Sequence, residues 1–254
     1  MFLAVDVGNT NIVLGLFGRD ELVKSWRLRT IHDRTADEFE VVFRDLWAAS
    51  GHRLSDIDGA GIACVVPPVL EPLTEALHRS CGVEPLVVGP GVKTGLPILL
   101  YNPKELGADR VVNAVAAYTR HKAGLIIVDF GTATTFDCVS PKGEYLGGAI
   151  APGLRISANA LIHATAQLPD VEISKPQSVV GRSTVEGLKS GLFHGYVALV
   201  DGLVEKLKAE LGFPCRVMAT GGLASLISAE SKTIEEVDPL LTLNGIRLIF
   251  EMNR

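Results

Sequence analysis

The sequence predicts an α/β protein built from two related halves that face each other across a cleft. The first observation is an Asp-x-Gly turn between two apolar strands, which occurs at residues 6–11 and again at 129–134. The second is that each turn belongs to a run of three strands that is followed by helices. This repetition indicates an internal duplication. We place the boundary near residue 120, which gives an N-terminal domain over 1–120 and a C-terminal domain over 121–254.

The first half has the predicted order β-β-β-α-β-α-β. Its strands are apolar runs at 2–6, 12–17, 22–29, 60–66 and 84–88. Its helices are expected at 36–49 and 69–80, and a further helical run covers 111–118. The first helix has the clearest start, because Thr35 and Glu38 form a capping box. Gly51 ends it.

The second half opens with the same three strands. Its strands are predicted at 125–129, 135–139, 144–150 and 215–220. Its helices are predicted at 153–163, 184–210, 223–228 and 239–252. Thr184 stands where the N-cap of the long helix is expected. We expect this helix to break near Gly195.

Composition restricts the class of protein. The chain has 254 residues and 47% are apolar, which suits a buried core and argues against disorder. The net charge of −5 argues against a nucleic-acid partner. The four cysteines lie far apart and form no Cys-x-x-Cys pair, which indicates reduced core thiols in a cytoplasmic protein. No apolar run has the roughly 18 residues of a transmembrane helix, and the first apolar run is typical of a strand rather than a signal peptide, so no membrane partner is expected.

Each Asp-x-Gly turn has the parts of a phosphate-binding loop. Glycine lets the backbone approach a ligand closely, successive N–H groups form an anion site, and Asp6 and Asp129 supply the hard oxygens that Mg²⁺ prefers. Thr10 and Thr132 add hydroxyl donors. One such turn alone is equally typical of a plain β-hairpin, and the repetition favours a nucleotide. The first lysine is Lys24, outside the first loop, so we expect backbone dipoles, Mg²⁺ or another cation, such as a monovalent ion, to offset the phosphate charge.

A second candidate site is the segment Gly107-Ala108-Asp109-Arg110, which places Asp109 in the first turn of a helix. There Asp109 either complements the helix dipole, worth about 0.3–1 kcal/mol, or accepts the proton of a substrate hydroxyl. The helix N-terminus should lower the pKa of Asp109 and make it a weak base, which phosphoryl transfer tolerates. Arg110 either pairs with a carboxylate or phosphate or is solvated. Tyr101 either lines a pocket or packs.

Other sequence patterns bear on which kind of nucleotide or metal site the chain can form. Gly221-Gly222 follows a strand and opens a helix, which fits close approach to a ribose or base and also fits a tight turn without a ligand. The chain has no P-loop motif and no Gly-x-Gly-x-x-Gly after a strand. It also lacks the protein-kinase motif set. Its six histidines show no metal-ligand spacing.

The motifs at 6–11, 107–110, 129–134 and 221–222, in this order and spacing, resemble those of the type III pantothenate kinases. That family belongs to the superfamily of acetate kinases, sugar kinases and actin, with duplicated ribonuclease-H-like domains of the actin-like ATPase type. The resemblance runs end to end and includes residues 26–30. It implies ATP-dependent phosphorylation of pantothenate to 4'-phosphopantothenate, the first step of coenzyme A biosynthesis.

The resemblance also implies roles for individual residues. The first phosphate loop, with Asp6 near Mg²⁺ either directly or through water, comprises Asp6, Val7, Gly8, Asn9, Thr10, Asn11, Ile12 and Val13. Pantothenate would be held by Tyr101, Gly107, Ala108, Asp109, Arg110 and Thr184. Asp109 would be the catalytic base, Asp129 would bind a monovalent cation (K⁺ or NH₄⁺), and Thr132 would contact ATP. The cofactor would be Mg-ATP, and the family forms homodimers.

Two alternatives stay open at this stage. One is another small-molecule kinase of the same superfamily, which shares the phosphate loops but has a different acceptor pocket. The other is a non-catalytic regulator that binds nucleotide without transferring phosphate. A substrate screen separates the first from a pantothenate kinase, and tight ATP binding without ADP formation would favour the second.

Overall fold

The computed structural model of the chain describes residues 1–165 and 168–254. The strands are β1 (Phe2–Val7), β2 (Asn11–Gly18), β3 (Glu21–Arg29), β4 (Gly59–Cys64), β5 (Leu86–Val87), β6 (Gly124–Phe130), β7 (Ala133–Val139), β8 (Tyr145–Pro152), β9 (Cys215–Gly221) and β10 (Glu236–Val237). The helices are α1 (Ala36–Ala48), α2 (Pro67–Cys81), α3 (Ala108–His121), α4 (Leu154–His163), α5 (Thr184–Leu211), α6 (Ala224–Ser228) and α7 (Leu241–Met252). Short 3₁₀ turns lie at Leu54–Asp56 and Pro103–Glu105. The two-residue strand β10 and both 3₁₀ turns were not expected from the sequence.

The two sheets have the same topology. The first has the order β3-β2-β1-β4-β5, and the second has the order β8-β7-β6-β9-β10. In each, the first strand of the half pairs antiparallel with the strand that follows it and parallel with the strand that arrives after a helix. The predicted α/β fold with an internal duplication is therefore confirmed.

Contacts divide the chain into two units. The first comprises residues 1–96, 101–116 and 240–254, and the second comprises 97–100 and 117–239. Helix α7 belongs to the first unit, although the sequence placed it in the second half. There the Phe250 ring lies 4.7 Å from the Phe2 ring, and a side-chain carbon at Gly59 would lie 2.5 Å from Phe250.

The core of the first unit forms between its sheet and two helices. Helix α1 starts where the capping box predicts, because the Glu38 N–H donates to the Thr35 hydroxyl and the Thr35 N–H donates to Glu38 Oε2 at 2.8 Å. The buried face of α1 carries Phe39, Phe43 and Trp47. These rings pack on the apolar side chains of β1 and β2, which are almost fully buried.

The core of the second unit forms between its sheet and α5. This helix runs without interruption from Thr184 to Leu211, so the expected break near Gly195 is wrong. A glycine in a helix costs about 1 kcal/mol relative to alanine. Burial of Phe193, Val197 and Val200 against the sheet outweighs that cost.

The state of the cysteines and the hydrophobicity of the helices bear on two of the sequence-based expectations. None of the four cysteines forms a disulfide; Cys138 is buried and the other three are partly buried. None of the helices in residues 1–165 and 168–254 combines the length and hydrophobicity that crossing a membrane requires.

Candidate active site

The first loop, which the sequence predicts to bind phosphate, is the tight connection between β1 and β2. The Gly8 N–H donates to the Asn11 carbonyl oxygen at 3.0 Å and closes the loop, while Asn9 and Thr10 are exposed at its tip. Asp6 lies just before it, opposite Val13 on β2. Parallel strands end at the same edge of a sheet, so the carboxyl ends of β1 and β4 present the loop and Asp6 together.

Thr30, which follows β3, makes two hydrogen bonds to the backbone of this loop. Its hydroxyl donates to the Gly8 carbonyl oxygen at 2.6 Å, and its N–H donates to the Thr10 carbonyl oxygen at 3.0 Å. The side chain is 8% exposed. The sequence did not assign a function to Thr30, because its partners lie about twenty residues earlier and no local motif connects them.

Asp109 lies in the first turn of α3, as predicted. Burial raises the pKa of its carboxyl above the ordinary value, although the Arg110 N–H, which donates to Asp109 Oδ1 at 2.8 Å, and the Arg110 charge act in the opposite direction. The expectation that the helix N-terminus would lower this pKa is therefore wrong. Desolvation of the charged form outweighs the favourable dipole and hydrogen bonds, which leaves a stronger base than an exposed aspartate.

Asp109 and the first loop lie at the same edge of the first sheet. Gly107 packs directly against the carboxylate, since a side-chain carbon there would lie 2.5 Å from Asp109 Oδ1 and 3.5 Å from Val65. Val65 follows β4, and its N–H donates to the Val7 carbonyl oxygen at 3.0 Å. Gly107, beside the Asp109 carboxylate, therefore lies near Val65, which is hydrogen-bonded to the residue before Gly8.

The other residues of the predicted substrate segment differ in exposure. Arg110 and Gly107 are partly buried and Ala108 is buried. Tyr101 is fully exposed, so it is not a packing residue of the described core. It precedes Asn102, whose side chain accepts from the Lys104 N–H and caps the 3₁₀ turn.

The second loop connects β6 and β7. Asp129 lies opposite Thr135 on β7 and Thr220 on β9. Its carboxylate packs on Gly221, where a side-chain carbon would lie 2.6 Å from Asp129 Oδ1 and where the backbone has φ +93°. A residue with a side chain is therefore excluded at Gly221 both by space and by conformation. Gly221 of the Gly221-Gly222 turn therefore lies against the Asp129 carboxylate, and the approach of this turn to a ribose or base stays a prediction.

Thr132 and Gly153 lie beside each other at the same end of the second sheet. A side-chain carbon at Gly153, the residue before α4, would lie 2.1 Å from the Thr132 carbonyl oxygen. The Tyr196 hydroxyl, from α5, donates to the Pro152 carbonyl oxygen at 2.9 Å and shares a hydrogen bond with the Thr134 hydroxyl. A phenol has one proton to give, so Thr134 is the donor in the second bond. Sequence reasoning missed Tyr196, which is distant from the loop in the chain.

Thr184 is not the N-cap of α5. Ser183 caps this helix, because its hydroxyl accepts from the Glu186 N–H at 3.2 Å, and Thr184 is the first helical residue. Two neighbouring hydroxyl residues cannot be told apart as caps from sequence. Thr184 is exposed, and its hydroxyl is not needed to cap the helix.

Among the described residues, Asp6 and Asp129 do not belong to a larger cluster of His, Cys, Asp and Glu side chains that could hold a metal ion. No group of three or more His, Cys, Asp or Glu side chains with metal-site geometry occurs in the described residues. This fits the way Mg²⁺ is usually held with nucleotides, by one or two carboxylates, waters and phosphate oxygens. A single carboxylate such as Asp6 at a phosphate loop matches that requirement.

Comparison with known proteins gives a consistent family. The family model described as type III pantothenate kinase matches residues 2–206. A type III pantothenate kinase of Myxococcus xanthus is 52% identical over 253 residues, which cover 100% of this chain and 99% of that protein. One of Anaeromyxobacter sp. (strain Fw109-5) is 54% identical over 254 residues and is covered completely, as is this chain.

Solved structures agree on the fold. A ROK family glucokinase from Streptomyces griseus superposes with a TM-score of 0.55 at 14% identity, over 98% of this chain and 99% of that one. The ethanolamine utilization protein EutJ from Carboxydothermus hydrogenoformans has a TM-score of 0.57 at 14% identity, over 97% and 89%. At these identities the likeness establishes the fold alone, which is that of the sugar kinases and actin-like ATPases.

Proposed function

The chain belongs to the type III pantothenate kinase family and phosphorylates pantothenate with ATP, and we propose that Asp109 is the catalytic base of this reaction. The product is 4'-phosphopantothenate, the first intermediate of coenzyme A biosynthesis. The observation that carries the proposal is a carboxylate of raised pKa at the sheet edge that also presents the first loop. Such a group accepts the proton of the pantothenate hydroxyl as its oxygen attacks the γ-phosphorus. Because the transition state is loose, holding that oxygen in line matters as much as removing the proton.

The deciding experiment measures ADP release by the purified protein with Mg-ATP, with and without pantothenate. We expect pantothenate-dependent ADP. In Asp109→Asn, which keeps the size of the side chain, turnover should fall by about 10²–10⁴-fold, the range for a general base. Near-normal turnover in the folded variant would remove the base role. Glu105→Gln, in the exposed 3₁₀ turn before α3, is the matched control.

The first loop is proposed to hold the ATP phosphates through residues 6–13. The backbone N–H groups at its tip and the Thr10 hydroxyl are suitable donors, and Asp6 would hold Mg²⁺ directly or through water. When bound, Mg²⁺ would neutralise phosphate charge. Asp6→Asn should raise the Mg²⁺ concentration that gives half-maximal rate. An unchanged Mg²⁺ dependence would contradict this role.

The second loop is proposed to bind a monovalent cation at Asp129 and ATP at Thr132. The Asp129 carboxylate and the Phe130 carbonyl oxygen lie near each other at the end of β6, and oxygen donors of this kind suit K⁺ or NH₄⁺. We expect the rate to be higher in potassium than in sodium buffer, and Asp129→Ala to lose that difference while keeping its melting temperature. Equal rates of the wild type in both buffers would contradict the proposal of a monovalent cation site.

Pantothenate is proposed to contact Tyr101, Thr184 and residues 107–110. The exposure of Tyr101 and Thr184 supports this, because neither is used for packing or capping. Tyr101→Ala should raise KM for pantothenate more than KM for ATP. Equal changes in both would argue against a specific contact.

We also propose that the protein is a cytoplasmic homodimer. The second unit exposes several large apolar side chains, among them Ile150 on its edge strand β8 together with Val179 and Val180. Exposed apolar surface of this kind is typical of an interface. Light scattering should give twice the chain mass of 27.1 kDa, and Ile150→Glu should give a monomer. Val23→Glu, an exposed position on the edge strand β3, is the control.

The alternatives make different predictions in the same assays. ADP formation with another hydroxyl acceptor but not pantothenate would favour a related small-molecule kinase. Tight ATP binding with no ADP from any acceptor would favour a nucleotide-binding regulator. The position of Asp109 beside Gly107, at the sheet edge that presents the first loop, together with its raised pKa, supports a kinase over a regulator, because carboxylates of perturbed pKa cluster at catalytic sites.

A further inference from the structure

Two backbone peptides of the first loop are held in one orientation by a single residue. Thr30 donates its hydroxyl to the Gly8 carbonyl oxygen at 2.6 Å and its N–H to the Thr10 carbonyl oxygen at 3.0 Å. It is nearly buried, at 8% exposure, so water competes poorly for these bonds. It also stands just beyond β3, a strand that pairs with β2 along its whole length.

The orientation of a carbonyl fixes the orientation of the next N–H. The peptide bond is planar and trans, so the C=O of one residue and the N–H of the following residue point in opposite directions. No cis peptide occurs in the described residues. With the Gly8 and Thr10 carbonyls directed at Thr30, the N–H groups of Asn9 and Asn11 must point away from it.

We propose that Thr30 is a positioning residue that keeps these two N–H groups directed toward the phosphates of ATP. This inference rests on the proposed role of the loop in holding ATP. Glycine at position 8 makes rotation of the Gly8–Asn9 peptide easy, since it has no side chain to hinder it. Rotation of that peptide would present a carbonyl oxygen, which repels phosphate. The Thr30 hydroxyl is the group that opposes the rotation.

The test is the dissociation constant of Mg-ATP, measured by calorimetry without pantothenate. Thr30→Val keeps the shape of the side chain and removes the hydroxyl, and we expect ATP binding to weaken about tenfold, which corresponds to about 1.4 kcal/mol. KM for ATP should rise by a similar factor, while KM for pantothenate and kcat change much less. Thr30→Ser restores the hydroxyl and should bind ATP within about twofold of the wild type, which is well below the 1.4 kcal/mol of a tenfold change.

The matched control is Thr94→Val. The Thr94 hydroxyl also donates to a backbone carbonyl oxygen in the first unit, that of Leu96 at 3.2 Å, and both lie outside the loop. The control should lose a comparable amount of stability without a change in ATP affinity. Wild-type ATP affinity in folded Thr30→Val would overturn the proposal, as would an equal loss in Thr94→Val.

Two further measurements decide the proposal if the valine variant does not fold. Thr30→Ser and Thr30→Ala differ from each other only in the hydroxyl, so the serine variant should bind ATP more tightly. In the wild type, hydrogen exchange at the Asn9 and Asn11 amides should slow on addition of Mg-ATP, and unchanged exchange would overturn the proposal. If the wild type binds ATP but forms no pantothenate-dependent ADP, the proposed reaction fails while these binding data still decide the role of Thr30.

Discussion

Replacement of Gly107 by alanine should displace the carboxylate of Asp109, the proposed catalytic base, without unfolding the protein. The added carbon would lie 2.5 Å from Asp109 Oδ1, whereas the first side-chain carbon of a residue in a protein almost never lies closer than 3.0 Å to such an atom. Oδ1 must therefore move by at least 0.5 Å, or by 0.9 Å to reach ordinary contact at 3.4 Å. The aspartate side chain can rotate away at low cost in folding energy. The Val65 contact, at 3.5 Å, needs no adjustment.

The expected result is a loss in kcat with little change in stability. A displacement approaching 1 Å costs up to about 10²-fold in rate, so we expect kcat to fall by about 10- to 100-fold. Gly107 does not have a left-handed backbone, and glycine-to-alanine changes at such sites reduce the entropy of the unfolded chain. The free energy of unfolding should therefore stay within about 1 kcal/mol of the wild-type value.

Steady-state kinetics with both substrates varied, together with urea unfolding, test this reasoning. Gly89→Ala is the control, since a side-chain carbon there meets nothing within 4 Å and the backbone is also not left-handed. A wild-type kcat in Gly107→Ala would refute the argument. So would an effect confined to KM for pantothenate, because that result would mean that the methyl group blocks the substrate and leaves the base in place.

Four other predictions concern Asp109, Gly245 and Tyr196. Because burial raises the pKa of Asp109, kcat/KM should decline on the acid side at a pH above the ordinary aspartate value, and Asp109→Asn should lack this decline in its residual activity. The folded protein also holds the Asp109 proton more tightly than the unfolded chain does. The free energy of unfolding should therefore fall as pH rises from the pKa of the unfolded chain to the raised pKa of the folded protein. Asp109→Asn lacks this loss, so denaturation at pH 7 should show it to be more stable than the wild type. Gly245→Ala would place a carbon 2.0 Å from the Val112 carbonyl oxygen, and urea unfolding should show a loss of about 1–3 kcal/mol. Tyr196→Phe leaves the Pro152 carbonyl oxygen without its donor, and we expect a loss of about 1–3 kcal/mol together with weaker ATP binding in calorimetry.

The elements of the fold were predictable because their signals are local. The capping box at Thr35 and Glu38 and the apolar strand runs depend on neighbouring residues, and the structure confirms them. The expected break of α5 near Gly195 was wrong because helix propensity is weaker than tertiary packing. The cap at Thr184 was wrong by one residue, since Ser183 offers the same hydroxyl.

The position of Asp109 was predictable from the sequence, whereas the direction of its pKa shift was not, because the first depends on neighbouring residues and the second on tertiary packing. Its place in the first helical turn follows from the sequence around it, and so does the expected effect of the helix dipole. The burial that raises the pKa is a property of the folded chain, in which Asp109 Oδ1 lies against Gly107 and Gly107 lies close to Val65, more than forty residues away in the chain. The spacing of the motifs therefore located the candidate base, whereas its raised pKa, and so its greater basicity, follows only from the fold.

Each loop is contacted by a hydroxyl group that lies outside its own Asp-x-Gly motif. In the first unit the Thr30 hydroxyl holds the Gly8 carbonyl across 22 positions of sequence, and in the second the Tyr196 hydroxyl contacts Thr134 across 62. Backbone N–H groups bind phosphate well only if they already point at it, because reorientation would consume binding energy. A glycine-containing turn gives the chain freedom to approach a ligand and also freedom to rotate away. It follows that the Asp-x-Gly motif alone does not make a phosphate site, and that mutations at distant hydroxyls should affect nucleotide affinity as much as mutations in the loops themselves.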